Sequence, residues 1–145
     1  MNDVSATGLK VFITASHTFP AGFWVSKFAD DKDALTTENT TVNEPAMGPN
    51  GDMVFFGTPN PITAKLGVIP GSEDDKNLQI LYNANRVAKN KASVKDIIQM
   101  VAHYPNGDKK TFVNGVITDG PSSYTATSNA RLNGNEYGFA FENII

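Results

Sequence analysis

The sequence predicts a mainly β, antiparallel fold, a β-sandwich or half-barrel with one flanking α-helix. Apolar and polar residues alternate with a period of two in several segments, and turns rich in Gly, Asn and Pro separate them. One central segment lacks Gly and Pro and changes to helical spacing, which indicates the helix. We expect six to eight strands in a single domain, residues 1–145.

The N-terminal part is predicted to form a hairpin. Residues 9–16 alternate as a strand does, although Phe12 interrupts the polar face. Pro20-Ala21-Gly22 is the predicted turn, since these residue types suit tight turns, and the bulky residues 23–28 predict the returning strand.

Three further β segments are expected before the helix. Residues 36–42 contain Thr and Val, which favour strands, and Asn43 and Pro45 are expected to end that strand. A short apolar run at 53–56 lies between turn-forming segments, and residues 62–68 alternate well.

Residues 72–91 predict the helix. Ser72 is a favourable N-cap and Asp75 stands where an Asp version of the capping box needs it. Arg86, Lys89 and Lys91 are expected near the C-terminal end, where the helix dipole favours positive charge.

A second hairpin and an aromatic strand are predicted after the helix. Residues 94–104 and 109–120 are strands joined by a turn at Asn106-Gly107, a dipeptide that readily adopts positive φ. In the last segment, Tyr137, Phe139 and Phe141 fall on one face of a strand.

Composition narrows the function classes. The chain has 145 residues, a net charge of −3 and no cysteine, which argues against a basic nucleic-acid surface, a disulfide scaffold and a thiolate metal site. The N-terminus shows no signal-like apolar stretch, and no run of apolar residues approaches the length of a membrane span. We therefore expect a soluble protein with no membrane partner.

The motifs predict no enzyme, cofactor or metal site. The acidic loop at residues 28–35 fails as an EF-hand started at Asp31, because Leu35 and Thr36 stand where an oxygen ligand and a glycine are needed. No nucleophile elbow, phosphate-binding loop or dinucleotide fingerprint is present. A small hydrolase that uses acidic pairs is the least favoured interpretation.

Aromatic residues cluster just before this loop and at its first position, at Phe19, Phe23, Trp24 and Phe28. Such a cluster is typical of a core, of a protein interface or of a sugar-stacking platform. An alternative function therefore stays open: a β-sandwich module that binds a glycan or calcium through Trp24 and the acidic loop.

The order of several segments resembles the contractile-tailed bacteriophage proteins with the tail-tube fold. They are, in chain order, "FPAGFWVSKFADDKDAL", "AMGPNGDMV", "LGVIPGSEDDKNLQILYNANR", "DIIQMVAHYPNGDKKTFVNGVI" and "ARLNGNEYGFAFEN". The resemblance spans nearly the whole chain. It implies a structural virion protein, and leaves open whether the chain is a tail tube subunit or a tube-like ring at the baseplate end.

The resemblance also implies the assembly and its partners. Subunits form a homohexameric ring, in which one sheet of each joins a continuous inner barrel, and rings stack. Implied partners are other copies, the tail sheath, other baseplate or tube proteins, and genomic DNA that passes through the lumen unbound. The implied location is the virion tail, assembled in the host cytoplasm.

Assembly would pair strand edges that are a liability in a monomer. We expect the acidic loop to face an adjacent copy or ring, with its aspartates meeting basic groups there and Phe28 anchored inward. The candidate interface residues are Trp24, Lys27, Asp30, Asp31, Asp33, Lys109 and Lys110.

Overall fold

A computed structural model describes residues 7–128 and 130–145, and within them the fold is mainly antiparallel β with one helix. This confirms the predicted fold class. The elements are, in order, β1 (Lys10–Ala15), β2 (Phe19–Val25), β3 (Leu35–Thr37), β4 (Asn43–Met47), β5 (Met53–Gly57), β6 (Ile62–Val68), α1 (Glu73–Asn85), β7 (Ile98–His103), β8 (Lys109–Asp119) and β9 (Asn135–Ile144).

The main sheet has seven strands in the order β2-β1-β7-β8-β9-β6-β3, and every pairing is antiparallel. The chain leaving β2 returns to β6 near the opposite end of this order. Phe28 bridges Val68, the Ala29 amide donates to the Gly67 carbonyl at 3.2 Å, and the Ile69 amide donates to the Lys27 carbonyl at 3.0 Å. The sheet therefore curls towards closure, as the predicted half-barrel requires.

The inner face of the curled sheet holds the core. The alternation seen in the sequence places one residue in two inside, and the aromatic face of β9 (Tyr137, Phe139 and Phe141) is fully enclosed. Two helical side chains, Leu78 and Leu81, are also completely buried. Helix α1 contacts β2 and β8 and covers part of this core.

The helix begins as predicted and ends earlier than predicted. Ser72 is the N-cap, and its hydroxyl accepts a hydrogen bond from the Asp75 amide at 3.2 Å. The helix stops at Asn85, since Arg86 has extended backbone angles (φ −82°, ψ 131°), and a separate short turn follows at residues 88–91. The Lys91 ammonium reaches back to the carbonyls of Asn83 and Arg86, so one of the three expected basic residues does meet the helix end.

Two predicted boundaries are wrong for physical reasons. Pro20-Ala21-Gly22 is not the hairpin turn but an irregular bulge inside β2, where three residues lie opposite the single residue Thr14, and Gly22 has a positive φ of +79°. Pro45 does not end a strand but lies within β4, paired with Phe55. A two-stranded ribbon tolerates proline because each strand keeps one edge free of hydrogen bonds.

Candidate subunit interfaces

The most exposed apolar surface of the described chain is the β4–β5 hairpin, here called the arm (residues 43–57). Every residue in both strands is exposed. The phenylalanines Phe55 and Phe56 are 67% and 53% exposed. Exposed large apolar side chains in and beside the arm are Val42, Met47, Met53, Val54, Phe55 and Phe56.

The arm presents apolar side chains on both of its faces. Met47 pairs with Met53 and Pro45 with Phe55, whereas Val54 and Phe56 point to the opposite side because side chains alternate along a strand. An isolated two-stranded hairpin is only marginally stable in water. An apolar ribbon of this kind, separate from the main sheet, is typical of a surface that a partner covers.

The acidic loop makes its contacts within the chain. Asp30 forms an ion pair with Arg131 at 2.7 Å, and the Asp31 carboxylate accepts hydrogen bonds from the Gly134 amide at 3.1 Å. The Thr36 hydroxyl donates to Asp33 at 3.3 Å. The loop is thus fastened to the segment before β9.

Arg131 lowers the pKa of Asp30. Its hydrogen bond and positive charge hold the pKa of Asp30 below the usual range. Both partners remain largely exposed, at 51% for Arg131 and 74% for Asp30, so solvent screens the pair. The expectation that these aspartates meet basic groups of another copy stays a prediction, since within one chain they already have partners.

The aromatic cluster divides between the core and the surface. Phe23 is buried, and Phe19 and Phe28 pack against the core, so Phe28 is anchored inward as expected. Trp24 instead lies on the outer face and is 45% exposed. Its ring centroid is 4.9 Å from that of Phe12, which supports it from β1.

The predicted interface lysines lie apart from the acidic loop's ion pair. Lys27, Lys109 and Lys110 are all exposed. Lys109 pairs across the sheet with His103, whose ring centroid is 5.1 Å from that of Trp24. Within residues 7–128 and 130–145, none of these lysines forms an ion pair with the loop. The structure therefore groups Trp24 with Lys109, and Asp30 with Arg131.

Comparison with known proteins decides the family. Residues 2–145 match the protein family described as Tail fiber protein gp32. The chain belongs to this family. No curated protein matches the chain.

Two solved structures with a fold similar to that of this chain come from contractile injection systems. A chain of the anti-feeding prophage (AFP) baseplate, determined as a 6-fold symmetrised structure, aligns with a TM-score of 0.59 and 9% identity over 100% of this chain and 95% of that chain. A chain of the sheath/tube terminator of the extracellular contractile injection system PVC aligns with a TM-score of 0.51 and 15% identity, over 100% and 96%. At these identities the likeness shows the fold, and it confirms the predicted tail-tube-like architecture.

Buried carboxylates connect distant parts of this chain through hydrogen bonds. The sequence analysis did not identify this role for them. Asp74 accepts hydrogen bonds from the amides of Ser26 and Lys27 at 2.8 and 2.9 Å, which ties the helix to the end of β2. Asp75 is fully buried and accepts from the hydroxyl of Tyr137 at 2.7 Å and the side-chain amide of Asn135 at 2.8 Å. The capping signal located the helix start, but these distant partners leave no local pattern.

A third buried carboxylate, Asp96, joins the turn after β1 to the helix end. It accepts from the His17 amide at 2.7 Å, from the amide and hydroxyl of Thr18, and from the Asn85 side chain at 2.9 Å. Burial raises the pKa of Asp96, but these hydrogen bonds outweigh burial and leave the pKa below its usual value. The carboxylate is therefore built into the framework as an anion.

Neither a metal cluster nor a membrane helix occurs in the described part of the chain. No three side chains of His, Cys, Asp or Glu converge there to hold a metal ion. The helix is too short and too polar to cross a bilayer.

Proposed function

We propose that this protein is a structural subunit of a contractile phage tail and that it assembles into a homohexameric ring. The ring is either one of many stacked tube rings or a single tube-like ring at the baseplate end. Family membership and the tail-tube-like fold support this proposal, since contractile injection systems supply the structures that the chain resembles. The role is structural rather than catalytic.

The arm is the observation that carries the proposal. A folded monomer would leave two phenylalanines and two methionines of the arm more than half exposed, on both faces of a ribbon that the main sheet does not support. Covering both faces needs contacts on two sides, which a ring with stacked neighbours supplies and a simple two-fold dimer does not. The arm thus favours assembly over a free ligand-binding module.

The remaining partners follow from the ring. The tail sheath and other tube or baseplate proteins would contact its outside and its ends, within a virion tail assembled in the host cytoplasm. Genomic DNA would pass through the lumen without binding. A net charge of −3, with acidic residues outnumbering basic ones, suits a channel that releases DNA, because like charges repel.

The test is the assembly state of the full chain with and without an apolar arm. The double variant Phe55→Ser, Phe56→Ser removes the two largest exposed side chains of the arm, so we expect it to remain monomeric under conditions where the natural chain forms hexamers. Sedimentation velocity measures the species and negative-stain imaging shows rings or tubes.

The matched control is Val87→Ser, which replaces an apolar side chain outside the arm by a polar one; Val87 is 71% exposed. We expect this control to form rings, and both variants to keep the thermal midpoint of the natural chain, since none of these positions lies in the core. A natural chain that stays monomeric at high concentration would contradict the proposed function. Normal rings from the arm variant would contradict the role of the arm.

A further inference from the structure

One end of the outer face carries an aromatic knob flanked by lysines. Trp24 on β2 stands beside Lys10 of β1, whose ammonium lies 4.9 Å from the centroid of the indole. Lys10 pairs with His103, and His103 pairs with Lys109, so a basic row crosses three strands next to the indole. The knob is defined as Trp24, Lys10 and Lys109.

The other side of the same face carries a shallow socket floored by small residues. On β9, Gly138 and Ala140 face outward, between Asp119 and Val116 of β8 and Lys65 and Thr63 of β6. The groove encloses about 230 Å³ and is bordered by the carboxylates of Glu38 and Asp119. The Asp119 carboxylate lies close to Gly138, because a Cβ added at Gly138 would lie 3.0 Å from Asp119 Oδ2. The socket is defined as Thr63, Gly138, Glu38 and Asp119.

The knob and the socket complement each other in shape and charge. The knob offers a large flat side chain with ammonium groups beside it, and the socket offers open space with carboxylates at its rim. Lys65 also borders the socket, but the exposed Glu136 on the same face keeps the balance acidic. Trp in a pocket is the residue type that most often dominates the energy of a protein interface.

The knob and the socket lie too far apart to meet within one chain. Strand β9 lies four places from β2 in the sheet order, and the sheet curls so that the end of β2 returns to β6. Lys109 of the knob and Asp119 of the socket lie at opposite ends of β8, so the two patches occupy different parts of the outer face. Two unlike and separate patches on one subunit suit a head-to-tail contact, which closes into a ring rather than a two-fold dimer.

We propose that Trp24 of each copy enters the socket of the next copy around the ring, with Lys10 and Lys109 opposite the neighbour's Glu38 and Asp119. This contact rests on the proposed function, because it supplies the lateral bond of the homohexameric ring. It fixes the direction of the ring, since a knob meets only a socket. Like charges at this contact would oppose assembly.

Charge reversal and restoration test the contact. The variant Glu38→Lys, Asp119→Lys places lysines opposite lysines, so we expect the concentration needed for rings to rise about tenfold or more. The variant Lys10→Glu, Lys109→Glu should show the same loss. A chain that carries all four changes should recover rings, because opposite charges face each other again. Sedimentation velocity and negative-stain imaging measure each chain.

Two shape variants complete the test without relying on charge. Trp24→Ala removes the knob and Thr63→Phe fills the socket, so each should weaken ring formation while the thermal midpoint stays unchanged. Ile80→Ala, at a helical side chain that is 53% exposed, is the control and should assemble normally. Rings from both shape variants at natural concentrations, or no recovery in the four-change chain, would overturn this contact alone. A natural chain without rings would overturn the proposed function together with it.

Discussion

The variant Tyr137→Phe tests whether the buried Asp75 carboxylate stabilises the fold through the strand it contacts. The Tyr137 hydroxyl is fully buried and donates to Asp75 Oδ1 at 2.7 Å. Removing it leaves the carboxylate with fewer donors in a site closed to water. Because a hydrogen bond to a charged group contributes about 1.5–3 kcal/mol, we expect the free energy of unfolding at pH of about 8 to fall by that amount.

The difference in free energy of unfolding between the natural chain and Tyr137→Phe should depend on pH. Burial raises the pKa of Tyr137 well above its usual value, and the hydrogen bond to Asp75 and the negative charge of that carboxylate raise it further. A folded pKa above the unfolded one means that this stabilisation is complete below pH of about 10 and declines as the pH rises above it. The slope is about 1.4 kcal/mol per pH unit, so the difference between natural chain and variant should shrink by about that amount at pH of about 11.

Urea unfolding followed by circular dichroism measures both effects. Tyr124→Phe is the control, because that ring is 47% exposed and lies in the segment between β8 and β9. We expect it to unfold as the natural chain does. A loss below about 0.5 kcal/mol for Tyr137→Phe, or a difference that stays constant as the pH rises, would refute the reasoning.

Two further predictions concern the framework. Hydrogen bonds that outweigh burial hold the pKa of Asp96 below its usual value, so the stabilisation by this carboxylate is complete above pH of about 4 and is lost as the pH falls further. Asp96→Asn should therefore lose less of its thermal midpoint than the natural chain as the pH falls below about 4. Parallel pH profiles of the two midpoints would contradict this. Gly115→Ala would place a methyl group against the ring of Phe141, so the free energy of unfolding measured in urea titrations should fall by about 1–3 kcal/mol. The control is Gly48→Ala, which should change the free energy of unfolding little, because the added Cβ would lie 3.4 Å from the nearest atom, the Asp52 carbonyl oxygen.

Short-range signals in the sequence predicted most of the elements. The alternation at residues 62–68 and 137–141 fixes which side chains enter the core, since a strand facing one core must repeat with a period of two. Ser72 and Asp75 located the helix start because a cap is a contact between near neighbours. These features depend on a few adjacent residues, which the sequence displays directly.

The long-range features escaped prediction. Asp74 meets amides 47 and 48 residues away, and Asp96 meets amides 78 and 79 residues away, so no local spacing announces either contact. The three residues 20–22 form a bulge rather than a turn because β1 remains paired with β2 beyond them. Trp24 was a candidate interface residue because of its residue type alone. Its position on the outer face depends on the register between β1 and β2, which the sequence does not display.

The structure gives the proposed assembly a different physical basis from unpaired strand edges. Unpaired strand edges predicted that the subunit is incomplete alone, yet residues 27–29 bring the end of β2 to β6 and satisfy part of that edge within the chain. In the described residues no buried side-chain polar atom lacks a hydrogen-bond partner, and the core is enclosed. The apolar arm and the knob on the outer face remain exposed in the single subunit. The proposed assembly therefore uses surfaces that the core does not need, and we expect variants in the arm or the knob to abolish rings without unfolding the subunit.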